Sequence, residues 1–180
     1  GINCGIKNSK TNYVLYLDID TILSLNFFTH LENVIDKIDS FAVIAPKINN
    51  FYNEKKIKKF GNLSFFKYHY NKYFYKIKKE KNFNQNIDQV FFVSGSIMLI
   101  NKEITFKNDI KFDENIFLFY EEDDFFHQCF RSGLKIFLIN NLNASHLDGS
   151  VADKSLNYEC YKKWHWEWSK YYFLNKHYNK

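Results

Sequence analysis

Short apolar runs divide this sequence, and they constrain its fold more than any other feature. Three of them lie at residues 13–17, 41–45 and 135–139. Nearly uninterrupted apolar runs of this length are typical of strands that a parallel sheet buries on both faces. Between the first two runs, apolar residues recur at helical spacing from Phe27 to Ile38, after a candidate cap at Ser24. Strand, helix and strand in this order predict an α/β fold, with a mixed, mostly parallel sheet flanked by helices.

The remainder of the chain continues this pattern with one long exception. Residues 90–100 (VFFVSGSIMLI) predict a strand that Gly95 interrupts, which indicates a bulge or the close approach of another group. A helix is predicted from Glu121 to Ser132, and an aromatic helix over residues 155–180. Residues 47–86 are rich in Lys, Asn, Tyr and Phe with poor periodicity, and they predict an irregular insertion or flap. We expect a single domain over residues 1–180.

Composition narrows the classes of function. The formal net charge is +5, and among 25 basic residues only Arg131 is an arginine. Specific recognition of nucleic acid favours the guanidinium group, so we expect no nucleic-acid partner. Three widely spaced cysteines offer no even disulfide set, which fits a reducing compartment and predicts a cytoplasmic protein. The sequence begins at Gly1 rather than Met, and we therefore treat it as a piece of a longer protein.

Two carboxylates end the first predicted strand. Asp18 and Asp20 lie two residues apart, so both side chains point to the same side if the strand persists. Carboxylates that close repel each other unless a cation lies between them. Oxygen ligands at the carboxyl end of a strand suit Mg²⁺ or Mn²⁺ carrying a phosphorylated ligand. The alternative is a solvated loop in which Asp20 or Thr21 caps the next helix.

Three further features could carry chemistry or contacts. The acids of residues 121–124 lie where a helix dipole favours negative charge, but the preceding aromatic residues would also raise a carboxyl pKa and suit a general base. His146 follows a strand in a polar loop, as a ligand or as a structural residue. The last predicted helix has lysines around its tryptophans: Lys162, Lys163, Lys170 and Lys176. This pattern predicts either binding to an anionic membrane surface or packing against the rest of the domain.

Taken in order, these segments resemble a family 2 inverting glycosyltransferase of the GT-A fold, in its rhamnosyltransferase-like branch. The resemblance covers nearly the whole chain. Its motifs are residues 1–5 (GINCG), 13–21 (YVLYLDIDT), 93–98 (VSGSIM), 112–114 (FDE), 119–124 (FYEEDD) with Gly133, 144–150 (ASHLDGS) and 169–177 (SKYYFLNKH). The resemblance implies a Rossmann-like sheet. The family's first strands, which hold the nucleotide base, precede Gly1, so the resemblance also implies an incomplete domain.

The resemblance implies a role for each candidate residue. Asp20, with Asp18, would hold a divalent metal (Mg²⁺ or Mn²⁺) on the diphosphate of a nucleotide-sugar donor, and His146 would reach the same metal or diphosphate. The metal would neutralise the leaving diphosphate. Glu122 would be the general base for the acceptor hydroxyl, with Asp123 as its competitor.

Further donor contacts would come from Asp18, Gly95 and Ser96. The family usually has Arg at the position of Gln128. The acceptor would be a glycan or a lipid-linked sugar in envelope polysaccharide synthesis, reached in the cytoplasm or at the inner face of the membrane. The alternatives are a non-catalytic fragment of the same fold that binds carbohydrate or a partner protein, and a Lys- and aromatic-rich nucleic-acid binder.

Overall fold

The computed structural model describes residues 1–50, 86–147 and 155–178. Its helices are α1 (Ile2–Asn8), α2 (Phe27–Ile35), α3 (Lys102–Lys107), α4 (Glu121–Arg131) and α5 (Leu156–Tyr178). Its strands are β1 (Tyr13–Leu17), β2 (Thr21–Leu23), β3 (Val43–Asn50), β4 (Ile87–Val90), β5 (Ile97–Asn101) and β6 (Ile136–His146). The predicted helices at 121–132 and at the end of the described chain are thereby confirmed to within a few residues.

The strands form one mixed sheet in the order β1-β5-β3-β6-β2, with β4 also paired to β6. Strand β5 is antiparallel to both β1 and β3, whereas β3 and β6 are parallel. The long strand β6 pairs with β4 along its first half and with β2 along its second, both antiparallel. Strands β1, β3 and β6 therefore run in one direction, and β2, β4 and β5 in the other.

The prediction of a mostly parallel sheet is wrong for the described strands, because β3 and β6 make the one parallel pairing among five. An apolar run reports that a strand is buried and does not report its direction. Strand β5 lies between β1 and β3, and it is buried at every residue because its side chains alternate between the cores on the two faces of the sheet. In the predicted strand–helix–strand unit, β1 and β3 run in the same direction as expected, but β5 lies between them in the sheet.

Two predicted boundaries also differ. Residues 90–100 are not one strand: β4 ends at Val90 and β5 begins at Ile97, with a turn at Gly95 and Ser96 between them. Strand β3 continues past Pro46 to Asn50, with a register shift after Pro46 at the kind of irregularity where a sheet accepts proline. Residues 47–50 of the predicted insertion thus belong to β3, and residues 51–85 lie outside the described residues.

Helices cover both faces of the sheet, as predicted. Alternate strand residues point to opposite faces, so neighbours such as Ile44 and Val43 enter different cores. The core under α2 contains Phe27, Leu31, Val34, Ile44 and Leu99. The core under α4 contains Val43, Ile100, Phe125, Phe126 and Cys129.

Helix α5 packs against the segment that leads into α4. The Ser169 hydroxyl, fully buried, donates to the carbonyl oxygen of Leu118 at 2.8 Å. Phe173 lies in a third, smaller core with Ile116 and Tyr120. Among the described residues, no helix combines the length and the apolar character needed to span a bilayer. The position of α4 is therefore fixed from two sides, by the sheet and by α5.

Candidate functional site

The sheet brings two distant segments together at the end of β1. After Leu17 the chain turns tightly, with the Thr21 amide donating to the Asp18 carbonyl at 3.1 Å, and enters β2. Strand β2 pairs with the end of β6, and Thr21 lies directly opposite His146. His146 is therefore the last residue of a strand and not part of a loop as predicted, while residues 148–150 of that motif lie outside the described residues.

Asp18, Asp20 and His146 form a compact group that could hold a metal ion. Their ligand atoms, one from each residue, all lie within 4.8 Å of one another. The His146 Nε2 lies 2.9 Å from an Asp20 carboxylate oxygen and 3.8 Å from Asp18 Oδ2. Adjacent ligands of an octahedral ion with bonds near 2.1 Å are about 3 Å apart. The 2.9 Å separation of His146 and Asp20 matches this, and the Asp18 oxygen, 3.8 Å from His146, would have to move closer by less than 1 Å. Two carboxylates and one imidazole suit Mn²⁺, which accepts oxygen and nitrogen ligands.

Asp18 is held by two further contacts. Its backbone amide donates to the carbonyl oxygen of Ser96 at 2.9 Å. The Tyr16 hydroxyl donates to Asp18 Oδ1 at 2.7 Å, and burial, followed by this hydrogen bond, raises the pKa of Tyr16. Tyr16 was not among the candidate residues predicted from sequence. Its spacing of two from Asp18 was the available signal, because residues two apart share a face of a strand.

The acidic start of α4 follows an unusual turn. Phe119 and Tyr120 both have a left-handed backbone, with φ of 63° and 66°. That conformation costs a non-glycine residue about 1–2 kcal/mol and persists only where the surroundings enforce it. Here the Tyr120 ring is buried and packs on Phe173 and Trp166 at centroid distances of 5.6 and 5.3 Å. The anchored turn sets the direction in which the first residues of α4 point.

Glu122 points from this helix start onto Gly95. A Cβ atom added at Gly95 would lie 3.1 Å from the Glu122 Cδ and Oε1 atoms, so the missing side chain makes room for the carboxylate. The next residue, Ser96, accepts the Asp18 amide through its carbonyl oxygen and is itself buried. Its hydroxyl lies 2.8 Å from that of Ser94. One turn therefore joins the candidate metal ligands to the candidate base.

Three neighbouring acids have raised pKa values. Burial and then the adjacent Glu122 raise the pKa of Glu121 to about 8 and that of Asp123 to about 7. Burial also raises the pKa of Glu122, with a smaller contribution from Asp18. The buried Oε2 of Glu121, the first acid of the predicted run, has no hydrogen-bond partner within the described part of the chain. Carboxylates with raised pKa values can take up a proton near neutral pH, as a general base must.

Asp124, the fourth acid of the run, faces away from this group into a buried network. It is fully buried, 2.6 Å from His177 Nε2 and 2.8 Å from Lys176 Nζ. Gln128, where the resembling family has Arg, donates to Asp124 at 2.7 Å and to the Lys111 carbonyl at 2.9 Å. Gln128 thus hydrogen-bonds to this network, and the acidic run divides into three acids with raised pKa values, of which Glu122 contacts Gly95, and a fourth acid that anchors α5.

Comparison with known proteins rests on structure alone. No family model matches the sequence, and no curated protein matches it either. The crystal structure of GalNAc-T7 with UDP, GalNAc and Mn²⁺ superposes with a TM-score of 0.59 at 15% identity. The fold is similar to that of a GT-A glycosyltransferase. The match covers 98% of this chain and 37% of that one, so this chain spans little more than a third of the length of the GalNAc-T7 chain.

The raised pKa of Glu121 predicts a pH-dependent gain in stability on its replacement. A carboxyl whose folded pKa (about 8) exceeds its unfolded value (4.5) makes the native state lose stability as pH rises through that window. In EDTA, Glu121→Gln should therefore raise the free energy of unfolding by about 1–2 kcal/mol at pH 8.5, and by far less at pH 5. The gain at pH 8.5 is smaller than the full pKa shift implies, because solvent screens part of the cost of the buried charge. Urea denaturation at both pH values measures this. The exposed Glu32→Gln is the control, and an equally small response of both variants would contradict the prediction.

Proposed function

We propose that this chain is the catalytic part of an inverting glycosyltransferase that uses a nucleotide-sugar donor and a divalent metal. The observation that carries the proposal is the meeting of Asp18, Asp20 and His146 beside the carboxylate of Glu122, on a fold similar to that of a GT-A glycosyltransferase. Asp20, Asp18 and His146 would hold the metal, which would stabilise the negative charge of the leaving diphosphate. The GalNAc-T7 neighbour, solved with UDP, GalNAc and Mn²⁺, supports Mn²⁺ as the ion and a nucleoside diphosphate as its ligand.

Glu122 is proposed as the general base. Its carboxylate would accept the proton of an acceptor hydroxyl while that oxygen bonds to the anomeric carbon and the bond to the diphosphate breaks. The raised pKa of Glu122 supports this role, because a base acts best when its pKa is near the working pH. Asp123, with a pKa of about 7, is the second candidate for the same step. Gly95 and Ser96, in the turn that Glu122 and Asp18 share, are proposed to line the donor sugar.

The acceptor is proposed to be a glycan or a lipid-linked sugar. A cavity of about 490 Å³ lies between Phe119 and helix α5, next to the turn that leads into the acidic helix start. Its aromatic walls are Phe119 and Trp166, 5.4 Å apart, and their faces suit the apolar side of a sugar ring. Lys162 and Lys163 at its edge could donate to sugar or phosphate oxygens. We further propose that the donor carries a hexosyl or rhamnosyl group. The protein would act in the cytoplasm, at the inner face of the membrane, in the synthesis of envelope polysaccharide.

Binding of a nucleoside diphosphate should depend on Mn²⁺ and on the three ligands. For the full-length protein, we expect UDP with Mn²⁺ to raise the melting temperature by several degrees, and UDP with EDTA to leave it unchanged, because a ligand that binds only the native state stabilises it. Asp20→Ala and His146→Ala should each remove the shift. Differential scanning fluorimetry measures it, with Asp39→Ala as an exposed control on the same domain. Equal protection with and without Mn²⁺ would contradict the metal site.

A further inference from the structure

We propose that Tyr16 is a positioning residue of the metal site, one that holds Asp18 so that a single carboxylate oxygen, Oδ2, binds the ion. The inference rests on the proposed function, since it concerns the same site. It starts from the 2.7 Å hydrogen bond between the Tyr16 hydroxyl and Asp18 Oδ1. Neither the family resemblance nor the motif that carries it assigns a role to Tyr16.

The chemistry of the pair fixes the direction of the bond. An ionised carboxylate has no hydrogen to donate, so the phenol must be the donor. Hydrogen bonds to a charged acceptor are short and stronger than neutral ones, which agrees with the 2.7 Å separation. One oxygen of Asp18 is therefore engaged by the protein.

The other oxygen faces the remaining ligands. It is Asp18 Oδ2 that lies 3.8 Å from His146 Nε2, on the side where Asp20 also meets His146. A carboxylate that binds through one oxygen occupies one coordination position, and one that binds through both occupies two. By engaging Oδ1, Tyr16 keeps one position open for a diphosphate oxygen or water, which suits an ion such as Mg²⁺ or Mn²⁺ that shares its shell with phosphate.

The strand makes Tyr16 a rigid support for this contact. Tyr16 lies opposite Met98 in the β1–β5 ladder, and its side chain packs against the core under α4. The Asp18 amide donates to the carbonyl oxygen of Ser96, the residue just before the start of β5. The side chain of Asp18 is thus held by Tyr16 of β1, and its backbone by the residue next to β5. Metal ligands in proteins usually have such hydrogen-bond partners, which orient them.

The test is Mn²⁺ binding measured by electron paramagnetic resonance of free Mn²⁺ in titrations of the full-length protein, without substrate. Tyr16→Phe keeps the ring and removes the donor, and it should weaken Mn²⁺ binding about 10-fold. Tyr13→Phe, on the same strand with its ring stacked on Phe41, should bind Mn²⁺ like the wild type. In an Asp18→Ala background, Tyr16→Phe should cause no further loss, because the two residues act through one contact.

Each outcome decides a different point. The inference would be overturned if Tyr16→Phe bound Mn²⁺ as tightly as the wild type. It would also be overturned if Tyr16→Phe lowered Mn²⁺ affinity by the same factor in the Asp18→Ala background as in the wild type. Either result would leave the metal site itself intact. No Mn²⁺ binding by the wild type would overturn both the inference and the metal in the proposed function. Mn²⁺ binding that follows the expected pattern in a protein without sugar transfer would support Tyr16 and count against the transferase.

Discussion

Replacement of Glu122 with Gln is expected to lower the rate of sugar transfer by about 10²- to 10⁴-fold, the usual contribution of a general base. Gln has the shape of Glu and can keep the packing against Gly95, where a Cβ atom would come within 3.1 Å of the carboxylate. What it loses is the ability to accept the proton of the acceptor hydroxyl. The fall should appear in kcat, because the interaction is made in the transition state.

Three controls make this test specific. Glu122→Gln should keep the melting-temperature shift caused by UDP with Mn²⁺, since no metal ligand has changed. Asp123→Asn and Glu121→Gln, at the two neighbouring acids with raised pKa values, should retain most of the transfer activity. Full activity of Glu122→Gln together with a large loss in Asp123→Asn would move the base to Asp123. Retention of activity in all three variants would exclude a carboxylate base from this helix start.

The pH dependence of kcat gives a second view of the same step. Burial raises the pKa of Glu122 above its ordinary value, so the base would lose activity as pH falls through that raised value and not only in strong acid. Bound metal would add positive charge beside Asp18 and reduce this shift. Comparison of pH profiles at two Mn²⁺ concentrations therefore links the base to the metal site through a measurable change.

The end of β1 was predictable from sequence, and its meeting with the end of β6 was not. The run before Asp18 and Asp20 indicated a strand followed by two carboxylates, and the structure agrees. That His146 joins them depends on β2 pairing with the far half of β6, a contact between residues 125 positions apart that no local pattern encodes. The order of motifs in the resemblance supplied what periodicity could not.

Strand direction and backbone strain were the features that sequence reasoning missed. The apolar run of β5 indicated burial, and the two cores that cover the faces of the sheet bury its side chains whichever way the strand runs. Phe119 and Tyr120 have a left-handed backbone although neither is a glycine, so the sequence gives no local signal of this conformation. The conformation is held because α5 packs on the Tyr120 ring. Both features depend on tertiary contacts that form only when the whole domain is assembled.

The largest expected effect on stability comes from Asp124, because its charge is fully buried. Burial alone would raise its pKa, but hydrogen bonds from His177 and Lys176 outweigh this and lower it. Removal of one partner from a buried ionic network typically costs 3–5 kcal/mol, since the remaining charges stay desolvated. Asp124→Ala should therefore lower the melting temperature by roughly 10 °C in a chain of this size. The control is Glu159→Ala, whose exposed pair with Lys162 at 3.8 Å should contribute less than about 1 kcal/mol.

The pH dependence separates this ionic anchor from simple packing. A carboxyl whose folded pKa lies below its unfolded value stabilises the native state above the unfolded pKa, and the contribution is lost as pH falls through the folded pKa. Lys176 also forms an ion pair with Asp113. Burial would raise the pKa of Asp113, but hydrogen bonds from Lys176 and Asn115 lower it to about 2. The difference between wild type and Asp124→Ala should thus be full at pH 7 and shrink as pH falls below about 4, the ordinary pKa of the carboxyl in the unfolded chain. A difference that stays constant over this range, in urea denaturation followed by circular dichroism, would assign the loss to a cavity and not to the charge network.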